Sequence, residues 1–131
     1  MAYRMLLFDL DGTLLCSDKT ISTPTLEALN HCRELGLLIG VATSRGEQNA
    51  MGFLRQIEPD AIITSAGALV RCHREITHSN GFSGEETAHV LHTLQDVCGT
   101  NVSMTVDTVD DYYRNYEVPA TDVDQTWAMG H

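Results

Sequence analysis

The sequence predicts an α/β fold built on a parallel sheet, and three observations predict it. Short apolar runs at Tyr3 to Phe8, Leu37 to Ala42 and Ala61 to Thr64 each end in polar residues, as buried strands do when they deliver side chains from their C-terminal ends. Stretches with helical start and stop signals separate these runs. Strands alternating with helices at short spacing make βαβ units, and those set neighbouring strands parallel.

Taken in order, the first strand runs straight into Asp9 and Asp11 and reads as buried. After Gly12 no helical period is visible. Leu14, Leu15 and Ile21 bracket the polar stretch Ser17-Asp18-Lys19-Thr20, which predicts a short hairpin or flap. A helix follows, with Thr23 as its cap, Pro24 at the first helical position and Gly36 at the left-handed stop. Leu26, Leu29, Cys32 and Leu35 recur every three residues and predict its buried stripe. A second helix is expected from about Glu47 to Ile57, ahead of Pro59.

Beyond Gly67 the pattern changes. Ala68 to Arg71 and Glu75 to His78 predict a hairpin, and Asn80-Gly81 is a turn signal. Ser83 opens a helix with a capping box to Glu86, and Leu91, Leu94 and Cys98, flanked by Val90 and Val97, make its apolar side. Val102 to Val106 alternates as a half-buried strand, and Tyr112 to Tyr116 is a candidate for another. Residues 117–131 carry no clear pattern. There is no internal repeat.

Composition bounds what such a chain does. With 43% apolar residues in 131, the chain is an ordinary globular one rather than a disordered one. Its longest apolar run, Leu35 to Ala42, is interrupted by glycine and too short for a membrane span. No signal peptide is evident, and Cys16, Cys32, Cys72 and Cys98 form no CxxC pair, so the expectation is reduced thiols in a cytoplasmic protein. The formal charge of −10 argues against nucleic acid. Residues 1–82 hold 9 acids and 7 bases, whereas residues 83–131 hold 9 acids and only Arg114. That shift predicts two regions with different surfaces.

Asp9-Leu10-Asp11-Gly12-Thr13 is where chemistry enters. Carboxylates two positions apart on a regular strand point the same way, and a glycine just after them lets the backbone turn so that both face one small ligand. Without basic neighbours in sequence they repel each other and lose hydration. A divalent cation relieves both problems, and Mg²⁺ prefers oxygen ligands. Asp-Gly alone is usually no more than a turn, so the weight rests on the whole segment.

That segment closely resembles the first signature motif of the haloacid dehalogenase superfamily. The resemblance implies Asp9 as the nucleophile that forms an aspartyl-phosphate, and Asp11 as the general acid/base. It implies Mg²⁺ held at Asp9 and at the backbone carbonyl of Asp11. Thr43, again between an apolar strand and a helix, matches the second motif, whose hydroxyl meets the phosphate. A helix N-terminus there adds backbone N–H donors. The same likeness implies phosphate contacts at Leu10, Gly12, Thr43 and Ser44, with Arg45 on the substrate side. Relatives of the Cof-like branch have Gly where Ser44 stands, and Asn where Ala66 stands in Ser65-Ala66-Gly67-Ala68.

Only 34 residues separate Asp9 from Thr43, too few for an inserted domain. Members with so short an interval carry their cap after the second motif. The resemblance thus divides the chain into a Rossmann-like core at 1–82 and part of an α/β cap at 83–131. It implies a Mg²⁺-dependent phosphatase acting on small phosphorylated metabolites such as sugar phosphates. The family's later motifs, a Lys and further acidic metal ligands, are not found. Lys19 is the sole lysine, in the flap. Asp107, Asp110 and Asp111 read as a solvated turn, His89 and His92 with Glu85 and Asp96 as a solvated stripe, and Cys72-His73 with His78 as an ordinary hairpin. The rival readings are a non-catalytic phosphate- or metal-binding fragment, a half-domain that exchanges strands with a second copy, and a phosphomutase.

Overall fold

The computed structural model describes residues 3–116. Strands β1 (Met5–Phe8), β2 (Leu38–Ala42) and β3 (Ala61–Thr64) run parallel, and β4 (Leu69–Cys72) and β5 (Glu75–Ser79) continue the sheet antiparallel. The sheet order follows the chain order, so β1 stands at one edge. Helices α1 (Thr23–Glu34) and α2 (Glu47–Ile57) make the two crossovers and touch each other, hence they share one face of the sheet. A third helix, α3 (Gly84–Cys98), leads to a two-stranded antiparallel ribbon of β6 (Thr105–Asp107) and β7 (Tyr112–Arg114). None of the described helices is long and apolar enough to cross a membrane.

The core lies between the sheet and the helix pair. Ile39 and Val41 point into it from β2, and Ala50, Phe53, Leu54 and Ile57 meet them from α2. Leu29 is the buried centre of α1, with Leu26 and Cys32 half-buried beside it. Leu35 lies outside the stripe at 55% exposed, because α1 stops at Glu34 and Gly36 turns the chain away at φ 85. The cap also sits one residue earlier than the sequence predicts. Ser22 is extended and its Oγ accepts from the Thr25 N–H, so Thr23 and Pro24 fill the first helical positions, where a missing N–H costs nothing.

Burial of β1 is one-sided. Leu6 and Phe8 pack on the core, while Leu7 is 49% exposed and Met5 and Leu38 share its open face. Among the described residues both crossover helices lie on one face of the sheet, and none covers the other side of this edge strand. On α3 the predicted capping box is present, with Ser83 Oγ accepting from Glu86 N–H and Glu86 returning the bond. The apolar side of that helix is only partly used: Leu91 is half-buried, and Leu94 and Val97 face out.

Strand β6 is shorter than the alternation of Val102 to Val106 predicts. The Asn115 side chain takes the place of the ladder there, donating to the Val102 carbonyl at 2.9 Å and accepting from Met104 N–H at 2.7 Å. Pairing therefore begins only at Thr105 opposite Arg114. The Asn80-Gly81 signal marks the end of β5, and the chain runs from it into the α3 cap without a turn.

One ion pair fixes the start of α2. The Glu47 carboxylate is buried, and it accepts from Arg71 Nε of β4 at 2.7 Å. Replacing Arg71 with Met leaves that carboxylate without its cation, and the expected loss is ~3 kcal/mol of unfolding free energy. Adding Glu47→Gln to the same chain is expected to restore part of it, as read by urea unfolding. In the same assay Leu29→Ala is expected to cost about 2–5 kcal/mol, whereas exposed Leu35→Ala should change stability by less than about 0.5 kcal/mol.

Candidate active site

Parallel pairing of β1 with β2 sets Phe8 beside Val41, so the residues following both strands emerge side by side. After β1 the chain makes a single wide turn, closed by the Leu15 N–H donating to the Leu10 carbonyl at 3.0 Å. Gly12 makes that turn possible: its φ of 76 lies in the left-handed region that favours glycine. Leu10 is fully buried in the core, so any ligand contact it makes comes from its backbone. Its N–H donates to Asp9 Oδ1 at 2.7 Å, which holds the Asp9 carboxylate at the strand end.

Asp11 is gripped from two sides. Arg45, reaching back from the loop before α2, donates through Nε to Oδ2 at 2.7 Å and through its terminal nitrogen to Oδ1 at 2.9 Å. Lys19 Nζ donates to the same Oδ1 at 2.8 Å. The Arg45 fork is bidentate, the strong geometry for a guanidinium on a carboxylate, and its side chain is only 7% exposed. It lies 5.2 Å from the centre of the Phe53 ring, which keeps the guanidinium in place. These hydrogen bonds, Arg45 first and Lys19 after it, hold the Asp11 carboxyl well below the usual carboxylate range against the opposing effect of burial.

Thr43 is buried and its hydroxyl accepts from the Arg45 N–H at 3.1 Å. Its backbone is tied into β3 by its N–H to the Ile63 carbonyl, and its own carbonyl accepts from Ala66 N–H. Gly46 precedes α2 and offers no side-chain cap. The first amides of that helix thus receive no bond from their own cap residue, and a helix start in that condition favours a nearby anion. Ser44 stands exposed on the same loop.

Asp11, Thr43 and Arg45 therefore meet in one hydrogen-bonded cluster, with Asp9 and Gly12 on the adjoining turn. Two members escaped the sequence reading. Lys19 is drawn in by the turn in which Cys16 N–H donates to the Thr20 carbonyl and Lys19 N–H to the Cys16 carbonyl. Its φ of 62 was the detectable consequence, but only in three dimensions. The sequence groups Asp107 with Asp110 and Asp111 in a solvated turn. Asp110 is exposed and Thr108 closes the turn onto Asp111. Asp107, however, presses its carboxylate against Gly46, so close that an added Cβ there would lie 2.6 Å from it. Burial pushes the Asp107 carboxyl up. No sequence signal connects positions so far apart.

Comparison with known proteins gives the family of the chain. The family model of haloacid dehalogenase-like hydrolases matches residues 6–128. An HMP-PP phosphatase of Yersinia enterocolitica is 29% identical over 120 residues, covering 90% of this chain and 43% of the relative. One from Escherichia coli O157:H7 is 31% identical over 119 residues, with 89% and 43% covered. The chain thus spans under half the length of the curated relatives it matches. Among solved structures, a haloacid dehalogenase-like hydrolase from Bacteroides thetaiotaomicron superposes with a TM-score of 0.78 at 20% identity, covering 98% of this chain and 50% of that one. A sugar phosphatase of HAD subclass IIB superposes with a TM-score of 0.70 at 25% identity, with 85% and 43% covered. With a family model matching nearly its whole length and a sheet of the same form, the chain belongs to the haloacid dehalogenase-like hydrolases.

Proposed function

We propose that this chain carries the nucleophile-bearing part of a Mg²⁺-dependent phosphatase that acts on small phosphorylated metabolites, sugar phosphates among them. One observation carries the reading. The Asp9-to-Thr13 turn at the end of β1 is joined to the Thr43–Arg45 loop at the end of β2 through the Arg45–Asp11 fork.

In this reading Asp9 attacks phosphorus and takes the phosphoryl group. Asp11, ionised while Arg45 and Lys19 grip it, gives the departing oxygen its proton only after the phosphoryl group has drawn those cations away and the carboxyl has taken up a proton. Water then attacks the aspartyl-phosphate, gives its proton to Asp11 and releases orthophosphate. The Thr43 hydroxyl and the backbone of Leu10, Gly12 and Ser44 bind the phosphoryl oxygens. Arg45 orients Asp11 and presents charge on the substrate side.

The donor chemistry fits Mg²⁺. Asp9 has a carboxylate oxygen beyond the one that accepts from Leu10 N–H, and the Asp11 backbone adds a carbonyl. The Asp11 carboxylate is spoken for by Arg45 and Lys19. A few hard oxygens together with water and phosphate are what this ion uses. When bound, it neutralises charge shared between phosphate and carboxylate. Residues 1–82 form the core in this scheme and 83–131 the beginning of a cap. The cavity of about 930 Å³ between Ser65, Ala68 and Leu69 on one side and Leu91, Met104 and Asp107 on the other supports that division. The relatives named as HMP-PP and sugar phosphatases support the substrate class.

Phosphate release from p-nitrophenyl phosphate with Mg²⁺ tests the reading, beside an Asp9→Asn control. The expected result is release that falls to the buffer rate in the control. An unchanged rate in Asp9→Asn would sink the proposal.

A second reading has its own support. It is a fragment that binds phosphate without turnover, supported by the buried Thr43 hydroxyl standing beside the Asp9 turn. In that case the chain binds orthophosphate but releases none from p-nitrophenyl phosphate, and Thr43→Val weakens binding by about tenfold, the value of one charge-assisted hydrogen bond. Calorimetric titration reads it directly.

A further inference from the structure

Lys19 is a second cation at the carboxylate cluster, and its presence there is costly. The residue holds a φ of 62, a left-handed backbone that glycine and asparagine adopt far more readily than lysine. It is the sole lysine in a chain with 18 acids and 8 Lys and Arg. Yet its ammonium shares Asp11 Oδ1 with an arginine that already grips both oxygens of that carboxylate. One acceptor oxygen thus receives two cationic donors, although the Arg45 fork alone satisfies Asp11. Lys19 remains partly open to solvent, its side chain 42% exposed, whereas Arg45 is sealed at 7%. Of the two cations, Lys19 is the one free to move.

We propose that Lys19 is a phosphate-binding residue, held against Asp11 until a phosphate dianion arrives and then shared between the two. This rests on the phosphatase-site reading above and adds to it a residue from outside the matched motifs. An ammonium presents three donors and no acceptor, and Asp11 engages one of them. The remaining donors are available to oxygens entering between Asp11 and the Thr43 loop. Charge argues the same way. Asp9 and Asp11 are balanced by Arg45 and Lys19, so an incoming dianion with its divalent cation leaves the cluster neutral. Without Lys19 the same site carries an unbalanced negative charge that repels the ligand. The turn from Cys16 to Thr20 is braced by Asp18, whose Oδ1 accepts from both the N–H and the hydroxyl of Thr20 at 3.1 and 2.7 Å. That brace keeps the Lys19 backbone fixed while its side chain exchanges partners.

Because Lys19 is the only lysine, reductive ¹³C-methylation of the chain gives one side-chain signal besides the terminal amine, and Lys19→Arg identifies it by its loss. The chain is titrated with orthophosphate and Mg²⁺ at constant ionic strength, following that signal together with the Gly12 and Thr43 amides. The expected result is a saturable shift of the Lys19 signal with the same midpoint as the amides. Lys19→Gln is expected to weaken orthophosphate binding by about tenfold, with Lys19→Arg restoring most of it. Amides that shift while the Lys19 signal stays still, with unchanged binding in Lys19→Gln, overturn this inference and leave the phosphate site standing. No shift at any of the three positions in the unsubstituted chain overturns both.

Discussion

Two parallel strands ending side by side are the constraint on which everything else here depends. With Phe8 fixed opposite Val41, the chain leaving β1 and the chain leaving β2 have no choice but to share a space. The hydrogen-bond ladder sets that proximity, and the side chains exploit it. Asp11 from one strand end and Arg45 from the other then close a bidentate fork across a sequence separation of 34. The core behind them is dry, with Ile39, Val41 and Phe53 almost fully buried. The strand ends consequently cannot drift apart without opening that packing.

Rigidity is distributed unevenly around this pair of strand ends. The Thr43 loop is fixed from three directions: by β3 through the Ile63 carbonyl, by the Ala66 and Ser65 amides on its own carbonyls, and by α2. Helix α2 is fixed in turn by the buried Glu47–Arg71 pair. The turn carrying Lys19 is held mainly by its own local hydrogen bonds. The phosphate site proposed above would benefit from this division, its rigid side orienting the ligand and its Lys19 side adjusting charge.

The ribbon of β6 and β7 and helix α3 differ in kind from the sheet. α3 buries no residue, so it gains little from the core, and its start is set by a capping box. One close approach of this part to the strand ends is Asp107 against Gly46, and Tyr112 of β7 is itself buried. A carboxylate at a helix N-terminus is favoured by the helix dipole, while burial works against its charge. The absence of a side chain at Gly46 is what lets the two come together.

Sequence alone determined a good deal. Period and punctuation placed α2 at Glu47–Ile57 and β3 at Ala61–Thr64, and the capping box at Ser83 and Glu86 fell where expected, because those features depend on neighbours a few residues away. The positions of Asp9, Asp11 and Thr43 just after strands were legible for the same reason, because apolar runs end before them. Tertiary structure decided what periodicity cannot weigh. Leu35 has the spacing of a core residue and ends exposed since its helix stops before it. Half of β1 stays open because burial depends on what lies across the face, not on the strand's own composition. Asn115 shortened β6 by substituting a side chain for the ladder. Lys19 joined Asp11, and Asp107 reached Gly46, through contacts across a fold rather than along a chain. Such contacts are set by distances in space, and a linear pattern contains no measure of them.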